Sequence, residues 1–341
     1  MRQIVIGPND AGQRFDKYLK KLFPKAQSGF LYKMLRKKNI VLNGKKATGS
    51  EKLNLTDEVK IFFSEETFEK LSDGVILKQN SDVQSTKDSY DKLSFEKSGL
   101  TILYEDEDLL AVNKPAGMLS QKAKADDFSA NEWILLYLET EKNAEKTGKT
   151  KEIAKDSLVF RPSVMNRLDR NTSGILLAGK TLKGLQEGSK ALKERTIKKE
   201  YLALVKGKVK KEGVVRSYLL KDEGKNQVQI FDMPREGTTQ IETGFYVKES
   251  FGEQYTLLRI HLITGKTHQI RAQLAAMGHP IIGDPKYGDV TCNRLFRDCC
   301  KVKRQLLHAY RVILTDQTVI EAPLPKDFSD AISYAQKERN S

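Results

Sequence analysis

The sequence predicts an α+β protein in which a small α+β module precedes a larger domain with a mixed or antiparallel sheet. At 341 residues the chain is too long for one small core. After about residue 100, strand-rich segments dominate: "LLAVNK", "YLALVKGKV", "QIETGFYVKE" and "QYTLLRIHLI". Helical segments such as "THQIRAQLAAMG" interrupt them without regular alternation, which favours α+β over a doubly wound sheet. We therefore expect domains over residues 1–63 and 99–341, joined by a linker over residues 64–98.

The first module contains two short helices, each with an apolar and a basic face. "GQRFDKYLKKLFP" places Phe15, Leu19 and Leu22 at helical spacing, and a proline follows. "SGFLYKMLRKKN" repeats the pattern, with Leu31 and Leu35 on its apolar face. "IVLNGKKA" then predicts a strand entering a tight Asn-Gly turn, and "LTDEVKIFF" predicts a closing strand.

These features resemble the S-four type RNA-binding domain, through "RFDKYL", the basic second helix and "IVLNGKKA". In that family the second helix and the following turn contact RNA phosphates. The resemblance implies the same role here for Lys33, Arg36, Lys37, Lys38 and Lys45. One departure is "QSGFLYK", where the family more often has an arginine after the serine. The alternative is a solvated lysine face.

Two further segments are polar and lack a clear apolar period. Residues 64–98 are mixed in charge, which predicts a partly mobile linker. Between residues 140 and 156 a Lys/Glu-rich segment predicts an exposed excursion from the second domain.

The composition is that of a soluble globular protein, with 39% hydrophobic and 30% charged residues. There is no run of eighteen apolar residues, so a membrane span is not expected. "MRQIVIGPNDAGQRFDKYL" lacks an apolar core followed by a small-residue cleavage site, so a secretory signal is not expected either. Three cysteines, two of them adjacent, argue against a disulfide framework and for a reducing, cytoplasmic location.

The chain carries a strong positive charge: 59 Lys and Arg residues against 45 Asp and Glu residues, a formal net charge of +14. Such an excess attracts polyanions and favours a nucleic acid as partner. Charge alone leaves simple solubility as the alternative.

The stretch "SVMNRLDRNTSGILLAGKT" contains the first candidate for chemistry, Asp169. The neighbouring Arg167 and Arg170 favour its ionised form, and the small residues after it allow a backbone or substrate to approach closely. An ionised, held carboxylate can be a nucleophile or a general base. An ordinary surface ion pair fits the same spacing.

Three more segments follow a recognisable order: "ILYEDEDLLAVNKPAGMLSQ", "IKKEYLALVKG" and "LITGKTHQIRAQLAAMGHPIIGDPKYG". Together with the Asp169 stretch they resemble the RluA family of pseudouridine synthases, over about residues 100–328. With the N-terminal module, the chain resembles the RluC/RluD-type layout. Departures at Asn166, Asn171, Lys266 and Gln121 leave the subfamily in doubt.

The resemblance implies that uridine within RNA is isomerised to pseudouridine, with no cofactor and no metal. The resemblance implies that Asp169 is the catalytic residue. It also implies that Tyr201 packs against the uracil ring and that Arg271 pairs with the aspartate. Arg167 is implied to enter the RNA where the target base has left the stack. Flipping a base costs a few kcal/mol, and an aromatic side chain returns roughly 1–3 kcal/mol by stacking. Whether Asp169 adds to the ring, attacks the ribose or deprotonates it stays open.

The RluC/RluD-like layout favours large-subunit ribosomal RNA as the substrate, and the protein is expected to be a cytoplasmic monomer. Transfer RNA is the second candidate substrate, and a catalytically silent RNA-binding or ribosome-assembly factor is the third hypothesis. A glycosidic hydrolase would require a second carboxylate, and the Asp169 stretch contains none nearby.

Other candidate groups receive structural interpretations. His268 is expected to be a hydrogen-bonded structural histidine, and Lys114 with its proline is expected to shape a turn. Three cysteines and one histidine lie towards the C-terminus, but paired C-x-x-C spacing is missing, so no metal is expected; they are Cys292, Cys299, Cys300 and His308.

Overall fold

The computed structural model of the chain describes residues 1–73, 98–124, 127–146, 159–222, 224 and 227–338, and only the backbone of residues 140–146. Proximity of Cα atoms divides the chain into two units. The first comprises residues 1–98, 133–163 and 179–186, and the second comprises residues 99–132, 164–178 and 187–341. The domain boundaries at residues 63 and 99 stay predictions.

The N-terminal part forms a four-stranded antiparallel sheet with helices. Its elements are β1 (Arg2–Val5), α1 (Phe15–Leu22), α2 (Ser28–Arg36), β2 (Ile40–Leu42), β3 (Lys45–Lys46) and β4 (Glu58–Ile61), with strand order β1-β4-β2-β3. The predicted helices and hairpin are confirmed, and β1 adds a strand that was not predicted. The apolar faces of the two helices meet in one core, in which Phe15, Leu19, Leu22, Leu31 and Leu35 are buried.

The turn between β2 and β3 has the geometry that its sequence predicts. Asn43 (φ 49°) and Gly44 (φ 71°) both adopt the left-handed conformation that a two-residue hairpin turn requires. The Asn43 side chain also donates to the Asp57 carboxylate at 2.9 Å and accepts the Glu58 N–H at 2.7 Å. These bonds tie the turn to β4.

The predicted linker contains a helix, α3 (Glu65–Ser72). Its N-terminus is capped by Ser64, whose Oγ accepts the Thr67 N–H at 3.3 Å. Phe68 is only 2% exposed and packs edge-on against Phe23, with ring centroids 5.2 Å apart. The predicted linker therefore begins with a docked helix, because the Phe68 side chain packs into the core of the N-terminal module. The rest of the predicted linker, residues 74–97, lies outside the described residues.

The second part of the chain forms an eleven-stranded sheet with the strand order β11-β10-β12-β13-β9-β14-β8-β6-β5; β15 pairs with β14, and β7 with β8. Its strands are β5 (Thr101–Glu105), β6 (Leu109–Lys114), β7 (Ser163–Val164), β8 (Ser173–Gly179), β9 (Lys198–Lys206), β10 (Gly213–Asp222), β11 (Gln227–Phe231), β12 (Thr239–Phe251), β13 (Tyr255–Leu262), β14 (Leu307–Ile313) and β15 (Val319–Glu321). Most neighbours are antiparallel, but β14 and β8 run parallel, so the sheet is mixed. The α+β class is confirmed.

Within the described residues after β6, the helices are α4 (Ala130–Lys146), α5 (Leu182–Glu194), α6 (Gln269–Ala276), α7 (Val290–Cys300) and α8 (Lys326–Glu338). Helix α4 continues through the start of the predicted excursion, and residues 147–158 lie outside the described residues. Among the helices that the structure describes, none has the length and apolar character needed to cross a membrane.

A buried histidine joins the two parallel strands. His308 on β14 faces Ser173 on β8, with 2.9 Å between Nδ1 and Oγ, and its Nε2–H donates to the Ala322 carbonyl at 3.3 Å. Nδ1 therefore accepts the serine hydroxyl, and the imidazole is neutral. Burial lowers the pKa of His308 to about 4.

This histidine makes the stability of the protein sensitive to acid. The unfolded chain binds a proton at a pKa of about 6.5 while the folded protein does not, so stability is lost as the pH falls from that value towards 4. Between pH 7 and pH 5 this group should remove about 2 kcal/mol from the free energy of unfolding. Urea unfolding at both pH values measures it. His308→Asn should lose about 2 kcal/mol less than wild type over this interval, and an equal loss would contradict the assignment.

Candidate active site

An open cleft lies in the second unit. It brings together the four residues to which the family resemblance assigns a role at the target base, namely Arg167, Asp169, Tyr201 and Arg271. Its walls come from the loop between β7 and β8, residues 165–172, which is called the Asp169 loop below. The rest of the wall comes from β9, the end of β13, the start of α6 and β14. The remaining lining residues are Leu168, Thr172, Leu262, Lys266, His268, Gln269, Ile270 and Leu307.

Asp169 is held by an arginine that is itself held by a second carboxylate. Arg271 donates from Nη1 to Asp169 Oδ2 at 2.7 Å. Its Nε and Nη2 donate to the two oxygens of Asp284 at 2.7 and 2.9 Å, a bidentate pair. Arg271 is 4% exposed and Asp284 is 1% exposed. The guanidinium therefore has a fixed orientation towards Asp169.

Both members of the buried pair are ionised. Burial alone raises the pKa of Asp284, but the hydrogen bonds and charge of Arg271 outweigh it and hold that pKa below its ordinary value. Burial lowers the pKa of Arg271, and the opposite effect of Asp284, followed by that of Asp169, raises it above the ordinary value.

The two oxygens of Asp169 have different environments. Oδ2 accepts the Arg271 hydrogen bond, whereas Oδ1 has no hydrogen bond to any residue that the structure describes. The Asp169 side chain is 26% exposed and lines the cleft. One oxygen is thus available to a bound molecule while the other is restrained.

The backbone of the Asp169 loop is fixed on one side by the segment after β6. The Ser120 hydroxyl donates to the Leu168 carbonyl at 2.9 Å and accepts the Leu168 N–H at 3.0 Å. The Arg170 carbonyl accepts the Gly117 N–H at 2.9 Å and the Lys114 ammonium at 3.1 Å. The residues flanking Asp169 on both sides are therefore bonded to the "KPAGMLS" segment.

Lys114 has a larger role than the turn expected from the sequence. It is completely buried, and its three N–H groups have three carbonyl acceptors, those of Pro115, Met118 and Arg170. Burial, followed by the charge of Arg304, lowers the pKa of Lys114 to about 7. It shapes the turn as expected, and it also bonds to a residue 56 positions away.

The other side of the loop is fixed by Arg304. Its Nη1 donates to the Asn171 carbonyl at 3.3 Å, while Nε and Nη2 bind the Asp327 carboxylate at 2.7 and 2.8 Å. Asp327 lies in the first turn of α8. Further along, Gly174 (φ 113°) allows the close approach of β14, because a Cβ there would overlap the Ala309 backbone.

Helix α6, which carries Arg271, is buried from Gln269 through Leu274. Its polar residues are satisfied by a buried network. Gln269 accepts from the Thr264 hydroxyl and donates to the Thr243 hydroxyl, at 3.0 and 2.8 Å. Thr243 in turn donates to Gln273 at 2.7 Å. A helix can be both polar and buried where its polar groups have such partners.

Tyr201 and Arg167 differ in exposure. Tyr201 on β9 is 4% exposed and forms part of the cleft wall. Burial, followed by the charge of Asp169, raises the pKa of Tyr201, so the phenol is neutral. Arg167 is exposed at the edge of the cleft. Asn166, one of the departures from the resemblance, pairs with the backbone of Ile175 and Leu177 on β8.

The basic residues named on the N-terminal module are all exposed: Lys33, Arg36, Lys37, Lys38 and Lys45. Lys33 and Arg36 lie on α2, and Lys45 lies on β3. They belong to the first unit and form no part of the cleft.

Cysteines and acidic residues do not gather into a metal-binding group in the part of the chain that the structure describes. Cys292 is buried, Cys299 is exposed and Cys300 is intermediate.

Comparison with known proteins identifies the class. The family model for RNA pseudouridylate synthase matches residues 108–276. Ribosomal large subunit pseudouridine synthase C of Rickettsia felis is 31% identical over 323 residues, 93% of this chain and 95% of that protein. Ribosomal large subunit pseudouridine synthase C of Pasteurella multocida is 29% identical, and the alignment covers 100% of this chain and 96% of that protein. Ribosomal large subunit pseudouridine synthase D of Nitrosomonas europaea is also 29% identical, with 96% of this chain and 86% of that protein covered.

Solved structures agree on the fold. Human RNA pseudouridylate synthase domain containing 4 has a TM-score of 0.54 at 18% identity, covering 77% of this chain and 98% of that one. Human RNA pseudouridylate synthase domain containing 1 has a TM-score of 0.51 at 22% identity, covering 70% and 88%.

The chain therefore belongs to the RNA pseudouridylate synthase family. It is an isomerase that converts uridine in RNA into pseudouridine, as its resemblance implied.

Proposed function

We propose that this protein modifies specific uridines of large-subunit ribosomal RNA and that Asp169 is its catalytic group. The substrate is supported by relatives named as ribosomal large subunit pseudouridine synthases, which align with 93–100% of this chain. The observation that carries the catalytic assignment is the geometry of Asp169, with Oδ2 bonded to Arg271 and Oδ1 open to the cleft.

The reaction moves one bond and leaves the composition of RNA unchanged. The bond between N1 of uracil and C1′ of ribose breaks, the ring turns, and a bond forms between C5 and C1′. The C5 proton then leaves, and N1 gains a proton. Asp169 Oδ1 is the group that faces the reacting nucleotide. Addition to the ring, attack on C1′ and deprotonation of the ribose all use this same oxygen.

The neighbouring residues support these steps. The neutral ring of Tyr201 forms one wall of the cleft. The detached uracil packs against this ring while it turns. Arg271 holds Asp169 in a fixed orientation before the nucleotide arrives, which lowers the reorganisation needed during the reaction. Arg167, at the exposed edge of the cleft, is placed to fill the gap that the flipped base leaves.

A monomer is proposed, as expected from the sequence analysis. A cytoplasmic location is proposed from the low cysteine content, three in 341 residues.

The decisive experiment for the substrate is to map pseudouridines in total RNA from cells with and without this protein. We expect pseudouridine to disappear from one or a few positions of large-subunit ribosomal RNA. Loss confined to transfer RNA would contradict the proposed substrate. An unchanged map would support the silent RNA-binding factor instead.

The N-terminal module is proposed to bind RNA phosphates through its exposed basic residues. Reversing the charge of Arg36 and Lys37 should weaken RNA binding. It should also make the plot of log binding constant against log salt concentration less steep, by roughly 0.7–0.9 for each phosphate that is no longer neutralised. Filter binding at several salt concentrations measures this. Lys190→Glu with Lys193→Glu on α5 is the control, since both lysines are exposed and the net charge changes equally. A salt slope that matches the control would refute the proposed role.

A further inference from the structure

His268 occupies an unusual backbone position beside the catalytic carboxylate. It is the residue before α6 and adopts the left-handed conformation, with φ 54°. Its side chain is 9% exposed, lines the cleft, and places Nε2 at 3.9 Å from Asp169 Oδ2. The sequence suggested only a structural role for this histidine.

The opposite edge of the imidazole is bonded to Tyr287. His268 Nδ1 lies 3.1 Å from the Tyr287 hydroxyl, and the two rings meet edge to face at 5.6 Å. The same hydroxyl oxygen accepts the Val228 N–H at 2.9 Å. The Arg271 guanidinium lies over the Tyr287 ring at 5.4 Å. Tyr287 therefore touches both groups that approach Asp169 Oδ2.

These contacts determine which imidazole nitrogen carries the proton. Because Val228 donates to the Tyr287 oxygen, the hydroxyl proton is directed to Nδ1 as its acceptor. Nε2 then carries the hydrogen and faces the carboxylate. The other tautomer would turn an Nε2 lone pair towards the negative Asp169 oxygen, which is repulsive.

The charges around His268 are consistent with a neutral ring. Burial lowers its pKa, and the cations Arg271 and Lys286 act in the same direction. Asp169 and Asp284 oppose them, and the net pKa lies below the ordinary value. A neutral N–H donor can approach Asp169 without repelling the Arg271 guanidinium, whereas a second cation would repel it.

We propose that His268 is a positioning residue for Asp169: Tyr287 sets its tautomer, and its Nε2–H restrains Oδ2 so that Oδ1 is presented to the nucleotide. The present separation of 3.9 Å exceeds a hydrogen bond and closes when RNA fills the cleft, as contacts of free enzymes often do. The inference rests on the proposed role of Asp169.

Two matched variants test the proposal. Glutamine and methionine are similar in size and both unbranched, so His268→Gln and His268→Met meet the same backbone strain. Only glutamine can direct an N–H towards Asp169. We expect His268→Met to lower kcat roughly tenfold or more with KM for RNA nearly unchanged, because a hydrogen bond to a charged group is removed. His268→Gln should stay within about threefold of wild type. Equal kcat values for the two variants would overturn the proposal.

A third variant covers the case in which His268→Met is unstable. Tyr287→Phe keeps the ring under Arg271 and removes the hydroxyl that sets the tautomer. A fall in kcat of about fivefold, with the thermal midpoint compared in parallel, supports the proposal. An unchanged kcat overturns it. Suppose that wild type is active, Asp169→Asn is inactive, and the two His268 variants have equal kcat values. In that case only the inference about His268 fails. If wild type forms no pseudouridine, the proposed function fails.

Discussion

Asp169→Asn is expected to abolish pseudouridine formation while RNA binding stays nearly unchanged. Asparagine keeps the shape of the side chain and an oxygen for Arg271, but it has no negative charge to attack or to accept a proton. Loss of a nucleophile or base lowers turnover by roughly 10²–10⁴-fold or more. Single-turnover assays of pseudouridine content measure the rate, and filter binding measures the affinity for RNA.

The same substitution at an exposed aspartate provides the control. Asp298 lies on α7, is exposed, and is not part of the cleft. Asp298→Asn should leave both turnover and affinity as in wild type. Turnover by Asp169→Asn close to that of wild type would remove Asp169 from the catalytic role.

Asp284→Asn is expected to have the largest effect on stability. The substitution leaves the Arg271 guanidinium buried without the bidentate partner that neutralises it. Breaking a buried ion pair on one side costs about 3–5 kcal/mol of the free energy of unfolding. Activity should fall as well, because the orientation of Arg271 towards Asp169 depends on this pair. Urea unfolding and the turnover assay measure the two effects.

Asp289→Asn is the matched control for this experiment. Asp289 caps α7 and pairs with Lys206 at 2.7 Å, and both partners are partly exposed. Asparagine caps a helix as well as aspartate does, so the substitution removes only the surface ion pair; it should cost about 0–1 kcal/mol, and turnover should stay unchanged. If the two variants lose the same stability, the buried pair does not have the energetic weight assigned to it here.

Local structure could be predicted well because its causes are local. The apolar spacing in α1 and α2 predicts the side chains that are buried there, including Phe15, Leu19 and Leu31. The Asn43-Gly44 pair predicts the hairpin, since both residues tolerate the left-handed conformation that the turn needs. Helix α3 was missed because it has a single buried aromatic residue, Phe68, which gives no period.

The candidate site could be predicted only in part because its contacts join distant segments. Asp169 and Arg271 are 102 residues apart and were paired through the family resemblance, not by spacing. Asp284 was missed because its Gly-Asp-Pro context is also typical of an exposed turn. The sequence indicates the burial of Asp284 only indirectly. A buried arginine such as Arg271 needs a carboxylate partner, and Asp284 is one candidate for it.

The interior polar network could not be predicted from the sequence for a similar reason. Gln269, Arg271 and Gln273 alternate along α6 with apolar residues, so the polar side chains are spread around the helix and indicate no single exposed face. Whether such a helix is exposed depends on partners supplied by β10 and β12, such as Ser217 and Thr243. Hydrogen-bond partners of this kind have no local sequence pattern.

The central claim is that Asp169 in this cleft converts uridine of large-subunit ribosomal RNA into pseudouridine. Its most direct test is to quantify pseudouridine at the affected positions in cells that lack the protein and are supplied with wild type or Asp169→Asn. We predict full restoration by wild type and none by the variant at equal protein abundance. Restoration by both, or by neither, would contradict the claim.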